Sequence, residues 1–218
     1  GLPDKWSLAA RDAFNGVDLW KVPIRRWGWR EWRGHWFSPR PSDIPLNIQK
    51  RLVAAADRVY VTLGYTAPVS QLDARTGAIL QTYADTERTG EILAAGGRLI
   101  LAIGLERQAG GRVAAVDAAS GRRLWTSARA YRGSITDYIK WTEGKGGGAP
   151  AVPLDPALNL ATDGRTVALI DGDALVALDA GSGAERWRAA FPMDPADANA
   201  GGQRASSNLW NGTMIVAE

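Results

Sequence analysis

The sequence predicts an all-β chain assembled from repeated units of about four short strands each. Three observations predict it: an Asp–Gly–Trp frame that recurs four times, a strand–turn–strand pattern upstream of it, and turn residues scattered over the whole length. The 25 glycines and 11 prolines are spread along the 218 residues as turn punctuation, and are not gathered into one linker.

The frame is Asp, three residues, Gly, three residues, then usually Trp. Its copies are Asp12-Gly16-Trp20, Asp73-Gly77-Gln81, Asp117-Gly121-Trp125 and Asp179-Gly183-Trp187. The residue before Gly is Asn15, Thr76, Ser120 or Ser182, always small and polar, and two before Asp stands Ala10, Gln71, Ala115 or Ala177. An Asp at a strand end can accept hydrogen bonds from backbone N–H groups two and three residues on. The Ser, Thr or Asn adds a second local bond. The Gly then supplies the left-handed backbone that closes the hairpin. Trp opens the next strand with a large apolar area, and the small Ala leaves room for it.

Upstream of the later copies runs a second element, two short apolar strands about a tight turn. It covers residues 52–62, 92–102 and 160–170, and residues 209–217 open a further unit. The turns are expected at Asp57-Arg58, Gly97-Arg98, Gly164-Arg165 and Gly212-Thr213. Each unit then holds about four strands. The repeat aspartates lie 61, 44 and 62 residues apart, so a basic unit of roughly 40–45 residues carries two long insertions. Such units fit the four-stranded blades of a β-propeller. The expected architecture over residues 1–218 is a propeller segment of about three full blades plus partial terminal ones, treated as one domain. An open segment leaves strand edges unpaired, so the native protein is expected to be longer or to pair with something else.

The frame resembles the tryptophan-docking motif of pyrroloquinoline-quinone (PQQ) type propeller repeats. Residues 115–125 match it position by position, as do 177–187, and 10–20 match with Asn15 in place of Thr. The copy at 71–81 departs at both ends with Gln71 and Gln81, which puts its docking contact in doubt while leaving its turn. The resemblance implies blade-docking roles for Asp12, Gly16, Trp20, Asp73, Gly77, Asp117, Gly121, Trp125, Asp179, Gly183 and Trp187. It implies little about activity, because relatives include PQQ- and calcium-dependent alcohol and glucose dehydrogenases as well as cofactor-free scaffolds of outer-membrane protein assembly. Dehydrogenases of this type use an Asp base, Glu, Asn and Asp ligands to Ca²⁺, and often a disulfide of adjacent cysteines. No carboxylate-rich segment here resembles those signatures. The reading is therefore a non-catalytic binding or scaffold module of a larger bacterial protein, engaging another protein and the remaining blades of a longer chain. The alternative is a PQQ- and calcium-dependent oxidoreductase acting on alcohols or sugars. The resemblance also implies a periplasmic or extracytoplasmic location.

Composition narrows the chemistry further. Hydrophobic residues make up 45% and charged residues 22%, ordinary for a globular chain. Cysteine is absent, which excludes disulfides, thiolate catalysis, cysteine zinc sites and covalent haem attachment within these residues. A single histidine, His35, argues against a His metal site or a Ser-His-Asp triad. The net charge of +3 names no partner, and no basic stripe marks a nucleic-acid surface. No run of about 18 apolar residues exists to span a membrane as a helix. The opening Gly1-Leu2-Pro3-Asp4-Lys5 lacks an initiator Met and is expected to reflect a processed or cut chain.

Other short motifs carry little. Asp171-Gly172-Asp173 reads as turn chemistry and the 194–199 acidic run as a solvated loop, since neither has an EF-hand frame. The glycine run at 144–148 lacks the phosphate-loop frame, and the Asn211 sequon falls at an expected strand turn.

The most unusual segment is the first insertion, about residues 21–48. With Trp20 before it, this region holds Trp27, Trp29, Trp32 and Trp36, half of the ten tryptophans, interleaved with Arg25, Arg26, Arg30, Arg33 and Arg40. Prolines 23, 39, 41 and 45 argue against one long helix, although Trp29-Trp32-Trp36 has the spacing of a short one. The segment either folds back with its rings under Arg stems, or presents an aromatic–cationic surface. Trp27, Trp29, Arg30, Trp32, Arg33 and Trp36 are the candidate surface, suited to an anionic or carbohydrate ligand, a protein partner or a membrane interface. The second insertion, about residues 127–157, also follows a blade-closing Trp, so both are expected to emerge on one propeller face.

Overall fold

The structure is a computed structural model that describes residues 5–28, 31, 48–106, 110–133, 157–172 and 174–190. It consists of antiparallel sheets joined in series. The first holds β1 (Trp6–Arg11) and β2 (Asp18–Ile24). Three four-stranded sheets follow: β3 (Leu52–Ala55), β4 (Arg58–Thr62), β5 (Val69–Asp73) and β6 (Ile79–Thr82); β7 (Thr89–Ala95), β8 (Arg98–Glu106), β9 (Gly110–Asp117) and β10 (Arg123–Thr126); β11 (Ala161–Thr162), β12 (Thr166–Asp171), β13 (Ala174–Asp179) and β14 (Glu185–Ala190). In each, chain order equals spatial order. This is the four-stranded blade of a propeller, and β1–β2 supply the two outer strands of another. A 3₁₀ turn, Ile48–Arg51, leads into β3.

The blades stack through their faces. Central strands are apolar on both sides, as a strand between two neighbours must be. Leu99 and Leu101 of β8 face the preceding blade with Tyr60, Val69 and Tyr83. Ile100 and Ala102 of the same strand face the following blade with Val167, Leu169, Val176 and Leu178. The first two strands pack on one side only: along β1 partly buried and exposed residues alternate, with Leu8 packed toward Val59, Val61 and Leu72. The first strands of successive blades touch, β7 meeting both β3 and β11, which makes them the inner ring.

In the first two four-stranded blades the first turn sits one residue earlier than expected, while the third lies at Gly164-Arg165 as expected. Residues 56–57 and 96–97 form the first two turns, and Arg58 and Arg98 already begin the next strand. Ala56, Gly96 and Gly97 have φ of 51°, 56° and 73°. These left-handed values suit a tight hairpin, and each Arg belongs to the strand because it pairs across to the frame Asp, Arg58 with Asp73 and Arg98 with Asp117. The third turn is held by the Asp163 carboxylate, which accepts the N–H groups of Arg165 (2.8 Å) and Thr166 (2.6 Å). Strand β2 also continues through Ile24, four residues into the expected first insertion. Pro23 is tolerated because β2 is an outer strand.

Candidate functional site

All four Asp–Gly frames form the same turn. Asp12, Asp73, Asp117 and Asp179 each end a third strand or directly follow it, and each backbone carbonyl accepts the N–H of the frame Gly at 2.8–2.9 Å. Asp73 Oδ1 also takes the N–H groups of Arg75 (3.0 Å) and Thr76 (2.8 Å) and the Thr76 hydroxyl (3.0 Å). Asp179 repeats this with Gly181 and Ser182. The four glycines have φ of 72–75°, where a side chain would be strained. These bonds hold the Asp73 and Asp117 carboxyls below the usual carboxylate range. For Asp179, the Arg186 guanidinium at 2.5 Å is the largest contributor, and the pKa falls to about 2.

The residue two before Asp is the cross-strand partner of the frame's last residue: Ala10 opposite Trp20, Gln71 opposite Gln81, Ala115 opposite Trp125 and Ala177 opposite Trp187. A register shift beside each pair re-aims the last residue toward the next blade. Trp20 Nε1 donates to the Ala74 carbonyl (2.9 Å), and a Cβ at Gly77 would lie 2.7 Å from its ring. Trp125 Nε1 donates to the Ala180 carbonyl (3.0 Å), and its ring covers Gly183. Trp187 stands half-exposed on the last blade.

The Gln81 junction is closed as well, by two side chains in place of one. With its amide oriented to match its neighbours, Gln81 donates to the Ala119 carbonyl and accepts the Gly121 N–H, both at 3.2 Å. Tyr83 donates its hydroxyl to the Ala118 carbonyl at 2.7 Å. Ala118 follows Asp117 as Ala74 follows Asp73, so the phenol takes the acceptor that an indole takes elsewhere. Its ring is fully buried, and desolvation raises its pKa. The frame could not show this, because Tyr83 lies two residues beyond it.

At the other end of the blades the two insertions depart. Antiparallel order puts the loops between second and third strands, and the connections between blades, at the end opposite the frame turns. Arg25 N–H donates to the Leu63 carbonyl (3.1 Å), and Tyr65 N–H to the Arg26 carbonyl (3.2 Å). Gly64 is required at that crossing: a Cβ would come within 2.8 Å of the Arg25 oxygen. Trp27 meets Tyr65 edge-on, centroids 6.2 Å apart, and the Arg51 guanidinium lies 4.4 Å over the same Tyr65 ring. Of the candidate surface residues, Trp27 is thus placed; Trp29, Arg30, Trp32, Arg33 and Trp36 lie outside the described residues. The acidic 194–199 run, the glycine run and the Asn211 sequon lie outside them too.

The second insertion starts in the same manner on the next blade's loop. Arg132 N–H donates to Asp171 Oδ1 (2.7 Å) and Gly172 N–H to the Gly133 carbonyl (2.8 Å). Asp171 does more than turn chemistry: its carboxylate also binds Arg188 (2.9 Å) and Arg129 (3.5 Å), joining two blades.

On the inner ring, Glu91 is buried and accepts the N–H groups of Leu158 (2.6 Å), Asn159 (3.0 Å) and Leu160 (2.9 Å). Lys50 reaches it at 3.7 Å and also bonds Asn159. Nothing in the local sequence around Glu91 announced this role. A PQQ–calcium site near the axis would need free carboxylates, yet Glu91 is saturated by backbone donors. Among the described residues no cluster of three His, Cys, Asp or Glu side chains converges on a metal position. No described helix is long and apolar enough to cross a membrane.

Stacked four-stranded blades closed by the Asp–Gly turn define a PQQ-type β-propeller segment. A family profile described as outer membrane protein assembly factor BamB matches residues 4–217, and the chain belongs to that family. A search of curated proteins gave no significant match. Solved structures of similar fold include a quinohemoprotein alcohol dehydrogenase from Pseudomonas putida HK5, 17% identical with a TM-score of 0.50, covering 84% of this chain and 31% of the other. BamB from Moraxella catarrhalis is 17% identical with a TM-score of 0.46, covering 89% and 53%. The chain thus spans between about a third and a half of these proteins.

Proposed function

We propose that this chain is a non-catalytic scaffold segment of a larger bacterial envelope protein, and that its insertion-bearing end holds another protein. The observation that carries this reading is the anchored start of the first insertion. Backbone bonds from Arg25 and to Arg26, with Trp27, Tyr65 and Arg51 stacked together, make a rigid aromatic–cationic base for the Trp/Arg-rich segment that continues from it. Rigid aromatic and Arg anchors are the side chains that dominate protein interfaces. The common anchoring of the second insertion supports one shared binding end. Membership in a family named for an assembly factor supports a protein partner and an envelope location. Further blades of a longer chain complete the propeller.

Photo-crosslinkers placed at Trp27 and Arg132, and separately at Phe14 and Ser120 on the opposite end, test this in the full-length protein. The partner should be captured from the first pair. Capture only from the second pair would overturn the shared end. The rival oxidoreductase is tested by adding PQQ and Ca²⁺ and following dye-linked oxidation of alcohols and sugars; turnover would refute the non-catalytic reading.

A further inference from the structure

The second insertion leaves the blades and returns to them at one place. Its first foot is residues 131–133 and its second is residues 157–160. The feet touch: a Cβ at Gly133 would lie 2.7 Å from the Ala157 carbonyl oxygen. Both also meet the same strand end of the last blade, where Ile170 N–H donates to the Leu158 carbonyl (2.7 Å) and Gly172 N–H to the Gly133 carbonyl (2.8 Å). A chain that leaves a sheet in this way has N–H groups without a ladder partner, and when buried they must find another acceptor. Each foot finds a carboxylate. Asp171 of β12 accepts the Arg132 N–H (2.7 Å) and is itself held by Arg188 (2.9 Å). Glu91 of β7, one blade earlier, accepts the N–H groups of Leu158, Asn159 and Leu160. Asn159 has φ of 52°, a left-handed turn that brings these amides to converge on one point. A concave run of amides is an anion-binding nest. Its anion is the chain's own Glu91, whose side chain is 4% exposed with the Lys50 ammonium 3.7 Å away.

We propose that Glu91 and Asp171 are the two halves of a latch that closes the base of the second insertion, with Glu91 filling the nest at residues 158–160, so that both feet open and close as one unit. The feet share a contact and a strand end, so neither leaves without disturbing the other. The two carboxylates come from different blades, so the latch spans the joint between the last two. It is also separate from the blade repeat. Seven residues before Arg58, Arg98 and Arg165 stand Arg51, Glu91 and Leu158, so the acid occurs only on the blade that faces the returning chain. Lys50 bonds Asn159 as well, which ties the lead-in of the first four-stranded blade to the same latch. The apolar core beneath, with Val167, Leu169, Val176 and Leu178, does not depend on these charges. The latch deepens the scaffold reading and rests on it in one respect: a fixed base lets the second insertion share one binding end with the first.

Hydrogen exchange of the full-length protein tests the latch without any partner. Glu91→Ala should lower the protection of amides 158–160 about tenfold or more, the mark of a local opening, while amides of β8 and β9 keep theirs. Because the feet act together, the amides of Arg132 and Gly172 should lose protection in the same variant. Asp171→Asn keeps an acceptor oxygen but drops the charge that Arg188 holds, and should loosen residues 158–160 by a smaller factor. Sodium formate, compared with sodium chloride at equal ionic strength, should restore protection in Glu91→Ala by placing a carboxylate in the nest, and should leave the wild type unchanged. Should Glu91→Ala unfold, Glu91→Gln replaces it with the same shape and no charge, and exchange at 158–160 should still quicken. Unchanged exchange in the Glu91 variants, loss spread evenly over β8 and β9, feet that loosen separately, or no recovery of Glu91→Ala with formate would each overturn the latch. Partner capture at Arg132 is scored apart: its absence in the wild type faults the scaffold reading, while the latch stands or falls on exchange alone.

Discussion

Compared with the junction closed by Trp125, the one closed by Gln81 and Tyr83 does the same work with more polar atoms. The indole covers Gly183 and donates one hydrogen bond to Ala180. In the other junction an amide covers Gly121 while a phenol two residues on donates to Ala118. What is kept is the turn glycine, its open face and the carbonyl after the Asp; what fills them varies. The difference teaches that the repeat preserves an acceptor and is indifferent to the donor, provided one N–H or O–H reaches the carbonyl and something flat covers the glycine. An acceptor carbonyl buried without a partner would cost about 1–3 kcal/mol, which is reason enough for the second side chain.

The largest effect should come from Trp125→Ala. Its ring is 8% exposed and belongs to the core that joins the last two blades. Removing a buried aromatic costs about 3–5 kcal/mol, read as a lowered midpoint in urea unfolding at unchanged slope. A change under about 1 kcal/mol would mean that the indole is not part of the cooperative core. Tyr83→Phe should cost less, about 1–3 kcal/mol, because the ring stays and only the hydroxyl's bonds, to the Ala118 carbonyl and more weakly to Gln71 Oε1, are lost. Equal losses for the two variants would break the comparison. Trp187→Ala should fall below about half the Trp125→Ala effect, since burial energy scales with buried area and Trp187 is 48% exposed.

The contrast between these junctions also marks what the residues announce. The four turns were legible because each needs a fixed chemistry at a fixed spacing: a carboxylate, a hydroxyl or amide, and a glycine at positive φ. The blades were legible for the same reason, with apolar runs between turns. Gln81 broke the spelling of the frame, and its compensation by Tyr83 depends on a side chain reaching another blade, which spacing within one repeat does not encode. Glu91 was invisible likewise, because its three donors come from residues 158–160, more than sixty positions away. The Trp/Arg insertion was conspicuous in composition, and among its described residues Trp27 is fixed by a contact with Tyr65 on the neighbouring blade's loop.

The smallest effect separates the turns from the junctions by pH. The indole, amide and phenol that cover the frame turns are neutral, while the turns themselves rest on carboxylates that are ionised. Asp73, Asp117, Asp163 and Asp179 all have pKa values lowered in the folded chain, chiefly by hydrogen bonds from their own turns and, for Asp179, from Arg186. A group with a depressed folded pKa adds stability above its unfolded value near 3.8, and that contribution is lost as pH falls through the folded value, about 2 for Asp179. Thermal stability should therefore decline as pH drops from about 4 toward 2, with exposure and salt keeping each contribution modest. Asp179→Asn should flatten part of that decline, because its oxygen still accepts the turn N–H groups while the charge facing Arg186 is gone. Trp125→Ala should lower the whole melting curve without changing its acid slope. If instead the tryptophan variant altered the slope and the aspartate variant did not, the division between ionic turns and neutral junctions would be wrong.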